Sequence, residues 1–259
     1  MPALSLTTGT APILISIPHN GALIPTDLAE RVTPIGRTSI DTDWFLDRLY
    51  AFAKPLGASI LVPLCSRYVV DLNRPESDES LYPGQTTTGL FPTESFDGEP
   101  LFVSPRCDDD NARRLETLWR PYHAAIKTEL NRLRDEHGKV VLFDAHSIAS
   151  IVPRLFDGQL PDFNFGTNHG VTCDESLAAT LRTTIEQAPQ YSHVFNGRFV
   201  GGYITRAYGD PANNIHSVQL ELSQATYLNE ESKAWADDKA EQVQPVLQSI
   251  IESILEWTG

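Results

Sequence analysis

The sequence predicts an α/β fold. Short apolar runs alternate with amphipathic helical stretches along the chain, and polar residues cluster just past the ends of those runs. No repeat, low-complexity tract or break in composition divides the chain, so a single domain spanning residues 1–259 is expected. In open α/β sheets, ligands bind outside the carboxyl ends of the strands, which directs attention to the polar clusters.

The elements follow in order. Residues 12–17 (PILISI) form an apolar run closed by Pro18-His19-Asn20-Gly21, the pattern of a buried strand entering a turn. Phe45, Leu46, Leu49, Tyr50 and Ala53 recur at three- and four-residue spacing, predicting an amphipathic helix over 42–53 that stops before Pro55. Residues 58–64 and 68–72 read as strands. Residues 73–105 are thick in Pro, Gly, Ser and Thr, and a loop of that length in a compact domain is usually functional or a cover. Asp108, Asp109 and Asp110 offer N-cap carboxylates to a helix reaching Glu136; its stripe is Leu115, Leu118, Trp119, Tyr122, Ile126, Leu130 and Leu133, and Gly138 ends it. Residues 139–143 (KVVLF) predict a buried strand leading into Asp144-Ala145-His146. A second irregular stretch, 147–172, precedes a helix capped by Asp174. Residues 215–222 alternate as a strand, and 229–257 read as a final helix.

Composition excludes several classes. Hydrophobic residues at 41% and charged residues at 21% describe a folded rather than a disordered chain. The net charge of −14 argues against a broad nucleic-acid surface, although a local arginine cluster can still attract an anion. No apolar run approaches a membrane span, and no basic residue precedes an apolar stretch at the N-terminus, so neither a membrane nor a secretory signal is expected. Cys65, Cys107 and Cys173 form no CxxC pair, and a reduced, cytoplasmic setting is expected.

Chemistry concentrates in four places. His19 follows the first strand, Asp43 opens the 42–53 helix beside Asp41, and His146 follows the 139–143 strand. Two imidazoles and one carboxylate are the ligand set of a catalytic zinc, and Asp144 lies where it can orient an imidazole. With no compact motif such as HExxH, the same residues also read as helix caps and loop histidines. Residues 66–75 (SRYVVDLNRP) set Arg67 and Arg74 at the two ends of a strand, with Asn73 beside the second. An arginine fork matches a carboxylate, while the plainer reading is an Asp71–Arg74 surface ion pair. Val218, Leu220 and Leu222 alternate with Gln219 and Glu221; facing a cleft, Glu221 can act as a general base, and facing solvent it is an ordinary carboxylate. Gly201-Gly202 leads to Arg206, an arginine placed to close over an anion. His123 lies near the long helix's apolar stripe and reads as structural, while His169 and His216 receive no role. Nucleotide-phosphate loops and the GxSxG elbow are absent.

Taken as an ordered set, residues 15–21 (ISIPHNG), 41–44 (DTDW), 66–75, 143–147 (FDAHS), 162–168 (DFNFGTN), 201–206 and 216–223 resemble the N-formylglutamate amidohydrolases, deformylases that end one route of histidine degradation. The likeness runs from about residue 11 to 228, and Asn20 stands where a small residue is usual. It implies a three-layer αβα sandwich with a mixed sheet, phosphorylase/hydrolase-like and akin to zinc exopeptidases. It also implies metal-dependent hydrolysis of N-formyl-L-glutamate, with Zn2+ or another divalent ion as cofactor. Residues 71–74 (DLNR) are similar to a run in the aspartoacylases. That likeness implies that Asn73 and Arg74 hold the substrate carboxylate, with Arg206 assisting, and that Arg67 polarises the scissile carbonyl. The zinc carboxypeptidase pattern has a glutamate ligand three residues after the first histidine, where this chain has Ala22. The third ligand is therefore assigned to Asp43, with Asp41 as the alternative, beside His19 and His146. Glu221 is the expected general base. Hydrolysis of another N-acyl acidic amino acid and non-catalytic carboxylate binding are the competing readings.

Overall fold

The structure is a computed structural model, and it describes residues 3–81, 84, 86–104 and 107–259. Residues 82, 83, 85 and 105 of the expected 73–105 loop, and residues 1 and 2 of the N-terminal stretch, lie outside the described residues. Seven strands form one sheet: β1 (Leu4–Thr7), β2 (Ile13–Ser16), β3 (Ser59–Pro63), β4 (Val140–Ile148), β5 (Phe163–Gly166), β6 (His193–Phe195) and β7 (Ile215–Ser223). Their spatial order is β1-β3-β2-β4-β7-β5-β6. β3, β2, β4 and β7 run parallel, while β1 and β5 pair antiparallel with β3 and β7, so the sheet is mixed.

Short helices α1 (Thr26–Ala29), α2 (Pro34–Thr38) and α3 (Leu46–Leu49) lie between β2 and β3 in the chain. Later come α4 (Asp108–Arg114), α5 (Arg120–His137), α6 (Glu175–Glu186), α7 (Tyr203–Tyr208) and α8 (Asp237–Thr258). Alternation along the central strands sorts the core into two layers. Val141, Phe143, Ala145, Val218, Leu220 and Leu222 pack with the apolar stripes of α6 and α8. Leu14, Val140 and Leu142 pack on the other face with Ile126, Leu130 and Leu133 of α5 and Ile204 of α7. This is a three-layer αβα sandwich, as expected. The face of Leu142 continues along β4 through Asp144 and His146, and the matching face of β7 carries Gln219 and Glu221. The same pleat that builds the core therefore delivers the polar side chains at the strand ends.

Four local expectations are corrected. Residues 68–72 are turns rather than a strand: Val69 N–H bonds to Ser66 O at 2.9 Å and Asp71 N–H to Leu90 O at 2.8 Å. Their apolar side chains serve burial, which an apolar run signals equally well in a turn or a strand. Arg67 and Arg74 consequently flank a buried turn instead of capping a strand. The 42–53 helix shrinks to α3 plus a 3₁₀ turn at Ala51–Ala53, because Phe45 takes a left-handed conformation (φ 58°). The last helix starts at Asp237 because residues 228–235 form a small hairpin, β8 (Leu228–Asn229) with β9 (Ala234–Trp235). The long helix is continuous from 108 to 137 but passes through a π turn at Leu115–Trp119, just before Pro121, which has no N–H to bond into the preceding turn. Among the described residues, no helix is long and apolar enough to cross a membrane.

Candidate active site

A cavity opens at the carboxyl ends of β4 and β7; its buried, inner lining includes His19, Arg67, His146 and Glu221, and its outer lining is partly exposed. Strand register brings two of these together: His146 and Glu221 are direct partners across β4 and β7. His19 lies three residues past the end of β2, the other neighbour of β4. Asp43 joins them through the backbone, its N–H donating to His19 O at 3.0 Å. The donor atoms of His19, Asp43 and His146 all lie within 4.8 Å of one another, and all three residues are buried. Nδ1 of His146 is 3.2 Å and Nδ1 of His19 3.7 Å from Oδ2 of Asp43.

Each imidazole is held from behind through Nε2. His19 Nε2 bonds to Asp71 Oδ1 at 2.7 Å, and His146 Nε2 lies 3.0 Å from Asn73 Nδ2 and 3.3 Å from Asp144 Oδ1. The donor set fits a divalent cation on chemical grounds: two Nδ1 atoms and a carboxylate converge, carboxylates back both rings, and Oδ1 of Asp43 is buried with no hydrogen-bond partner. Asp41, the alternative, is engaged elsewhere. Its Oδ2 accepts from Tyr68 Oη at 2.6 Å and from the Phe96 N–H at 2.8 Å.

Asp71 is the residue that the sequence reading undervalued. It is fully buried and forms no ion pair with Arg74. Oδ1 takes the His19 bond and the Asn73 N–H (2.9 Å), while Oδ2 takes Arg67 Nη2 (2.7 Å). Burial opposes its charge, yet His19 and Arg67 outweigh that penalty and hold its carboxyl well below the usual range. Arg67 also lies 3.8 Å from Asp43 Oδ1 and over the Phe96 ring at 4.8 Å, so its guanidinium is fixed where it borders the cavity. Burial, reinforced by Asp43 and Asp144, pushes the Glu221 carboxyl up to about 8 against the pull of His146 and Arg67. A carboxyl poised near neutrality suits proton transfer.

The expected carboxylate group divides. Arg74 lines the cavity, half-buried, with Nη2 at 3.5 Å from Thr88 Oγ1. Asn73 lines it too, although its amide also contacts His146 and accepts the Ile204 N–H at 2.8 Å. Arg206 is not among the lining residues: its Nε and Nη1 donate to the carbonyls of Gly201 (2.8 Å) and Leu81 (3.2 Å), tying α7 to the long loop. Arg198 and Phe199, which the sequence reading did not single out, line the outer end with Thr86, Thr87, Thr88 and Leu155. The only local signal for Arg198 is its place just past β6. His123, His169 and His216 lie outside the lining. His123 is structural, bonding through Nε2 to Leu72 O and through Nδ1 to Tyr208 Oη, both at 2.9 Å.

Fold and site together define an α/β protein with an arginine-lined cavity at its strand ends and a convergent His/Asp donor group within it. A family model described as N-formylglutamate amidohydrolase matches residues 11–228, and the chain belongs to that family. The N-formylglutamate deformylase of Pseudomonas putida is 48% identical over 258 residues, covering 98% of this chain and 96% of that protein. The protein of the same name from Pseudomonas aeruginosa is 49% identical with the same coverage. The crystal structure of N-formylglutamate amidohydrolase from Ralstonia eutropha JMP134 superposes with a TM-score of 0.85 at 21% identity, covering 98% of both chains. A gene product of Agrobacterium tumefaciens superposes at 0.73 with 19% identity, covering 98% of this chain and 96% of its own. These two likenesses establish the fold.

Proposed function

We propose that this chain, acting as one catalytic domain, hydrolyses N-formyl-L-glutamate to formate and L-glutamate in histidine degradation, in the cytoplasm and with a divalent metal, zinc in the first instance. The observation that carries the reading is the convergence of His19, Asp43 and His146 within 4.8 Å, beside Glu221 and Arg67 in one cavity. The deformylase name of relatives nearly half identical over almost the whole chain supports the substrate. His19, Asp43 and His146 hold the ion, which when bound supplies Lewis acidity and lowers the pKa of water.

The chain's own groups do the remaining work. Arg74, with Asn73 beside it, binds a substrate carboxylate and brings the formyl group to the inner end of the cavity. Glu221 takes a proton from the attacking water and delivers it to the amide nitrogen as the C–N bond breaks, so the amine leaves neutral. Arg67, held rigid by Asp71, donates to the oxygen of the formyl carbonyl as negative charge develops there. Asp71 and Asp144 keep the two imidazoles oriented. The test is formate release from N-formyl-L-glutamate by chelator-stripped protein, with and without added zinc. Release that requires the metal supports the reading. Metal-dependent turnover of N-acetyl-L-aspartate alone would keep the chemistry and discard the substrate, and inactivity on both substrates with zinc present would overturn it.

A further inference from the structure

The outer end of the cavity differs in character from the inner end. Its lining residues are Thr86, Thr87, Thr88, Leu155, Arg198 and Phe199, whereas the lining carboxylates among the described residues, Asp71 and Glu221, belong to the inner end. In a chain of net charge −14, this end of the lining carries an arginine and, among the described residues, no carboxylate.

Arg198 is a built feature of that end. Its Nε donates to Leu155 O at 2.8 Å and its Nη2 to Thr86 O at 3.4 Å, so one guanidinium joins the segment after β6 to both long irregular stretches. Its Cζ lies 5.2 Å from the Phe199 ring centre, and Phe199 meets Phe156 edge-on at 6.2 Å. Arg74 reaches the same threonine strip two residues further on, at Thr88. Two residues of extended chain span at most about 7 Å, so the two threonines that meet these guanidiniums stand no further apart along the chain than the length of a small dicarboxylate. Arg74 is next to Asn73, whose amide touches His146, and so it is the arginine tied to the reacting end. Arg198 is tied to the far end.

We propose that Arg198 is the specificity-determining residue for the side-chain carboxylate of the substrate, while Arg74 takes the α-carboxylate. The inference rests on the hydrolase reading above and adds the division of labour between the two arginines. In glutamate three carbons separate the carboxylates, and the cavity rewards an N-acyl amino acid that carries both. Arg206, tied to backbone carbonyls outside the lining, does not perform this role.

The experiment compares kcat/KM for N-formyl-L-glutamate and N-formyl-L-glutamine in wild type, Arg198→Gln and Arg198→Lys, each loaded with zinc. The glutamine compound keeps the shape and the α-carboxylate and removes only the distal charge. The expected result is that Arg198→Gln lowers the glutamate-to-glutamine ratio on the order of 100-fold, with Arg198→Lys in between because it keeps the charge but not the planar fork. Equal losses on both substrates in both variants would make Arg198 a loop fastener and overturn this inference alone. A wild type inactive on both compounds would overturn the hydrolase reading and this assignment with it.

Discussion

The side-chain amide of Asn73 lies with Nδ2 3.0 Å from Nε2 of His146, and its Oδ1 accepts the Ile204 N–H at 2.8 Å. The amide oxygen is taken by the Ile204 N–H, which sets the amide nitrogen beside the imidazole. One residue thus joins the turn bearing Arg74, the strand bearing His146 and the first turn of α7. Replacing Asn73 by Ala leaves the Ile204 N–H without its acceptor and is expected to destabilise the fold by about 1–3 kcal/mol, with a fall in kcat/KM. Urea unfolding of the two proteins checks it; an unchanged midpoint would show that the amide bonds carry no weight.

Gly202 packs directly on that amide. A Cβ at this position would stand 2.3 Å from Asn73 Nδ2 and 2.8 Å from its Cγ, closer than atoms tolerate. Gly202→Ala is therefore expected to displace Asn73 from His146 and lower kcat/KM at least as much as Asn73→Ala does. In the double variant the two losses should not add, since one contact is removed twice. Full additivity in the double-mutant cycle would refute the link.

Glu221→Gln preserves size and removes the base. Metal content and substrate affinity should stay near wild type while kcat falls about 10²–10⁴-fold. The working form of Glu221 is the carboxylate, so activity is lost as pH falls through its pKa. Burial and the neighbouring aspartates set that carboxyl at about 8 in the protein alone, and a bound cation pulls it lower. A pH profile of kcat/KM should show an acid limb with its midpoint below that value, and near-normal turnover by the glutamine variant would remove Glu221 from the mechanism.

His123 offers a test of stability away from the chemistry. Burial lowers its pKa from 6.5 to about 4, despite the bond to Leu72 O, as the ring sits among Trp119, Tyr122, Tyr203 and Tyr208. The unfolded chain therefore takes up the proton first, and stability falls as pH drops from 6.5 toward 4. The contribution is about 2 kcal/mol between pH 7 and pH 5. His123→Gln, which cannot titrate, should flatten the dependence of unfolding free energy on pH over that interval by this amount; an unaltered slope would mean that His123 is charged in the folded state.

Much of this protein is determined by local sequence. The apolar run 139–143 and the alternation in 215–222 marked two central strands; polar residues following a strand gather at the carboxyl end of the sheet, and Glu221 stood out as a polar residue alternating with an apolar set. That is why His19, His146 and Glu221 were legible, as were the long α5 stripe and its Gly138 stop. Tertiary structure alone decided which carboxylate meets the histidines. Asp41 and Asp43 are equivalent in a helix-start pattern, and the choice falls to Tyr68 and Phe96, which bind the first and leave the second to His19 and His146. It also decided that Asp71 is a buried anchor for His19, 52 residues away, and that Asn73 reaches His146 across 73. The exchange of Arg206 for Arg198 in the cavity lining is of the same kind. Periodicity reports which face of its own element a residue takes, whereas partners this distant are chosen by how the sheet and its two long loops pack.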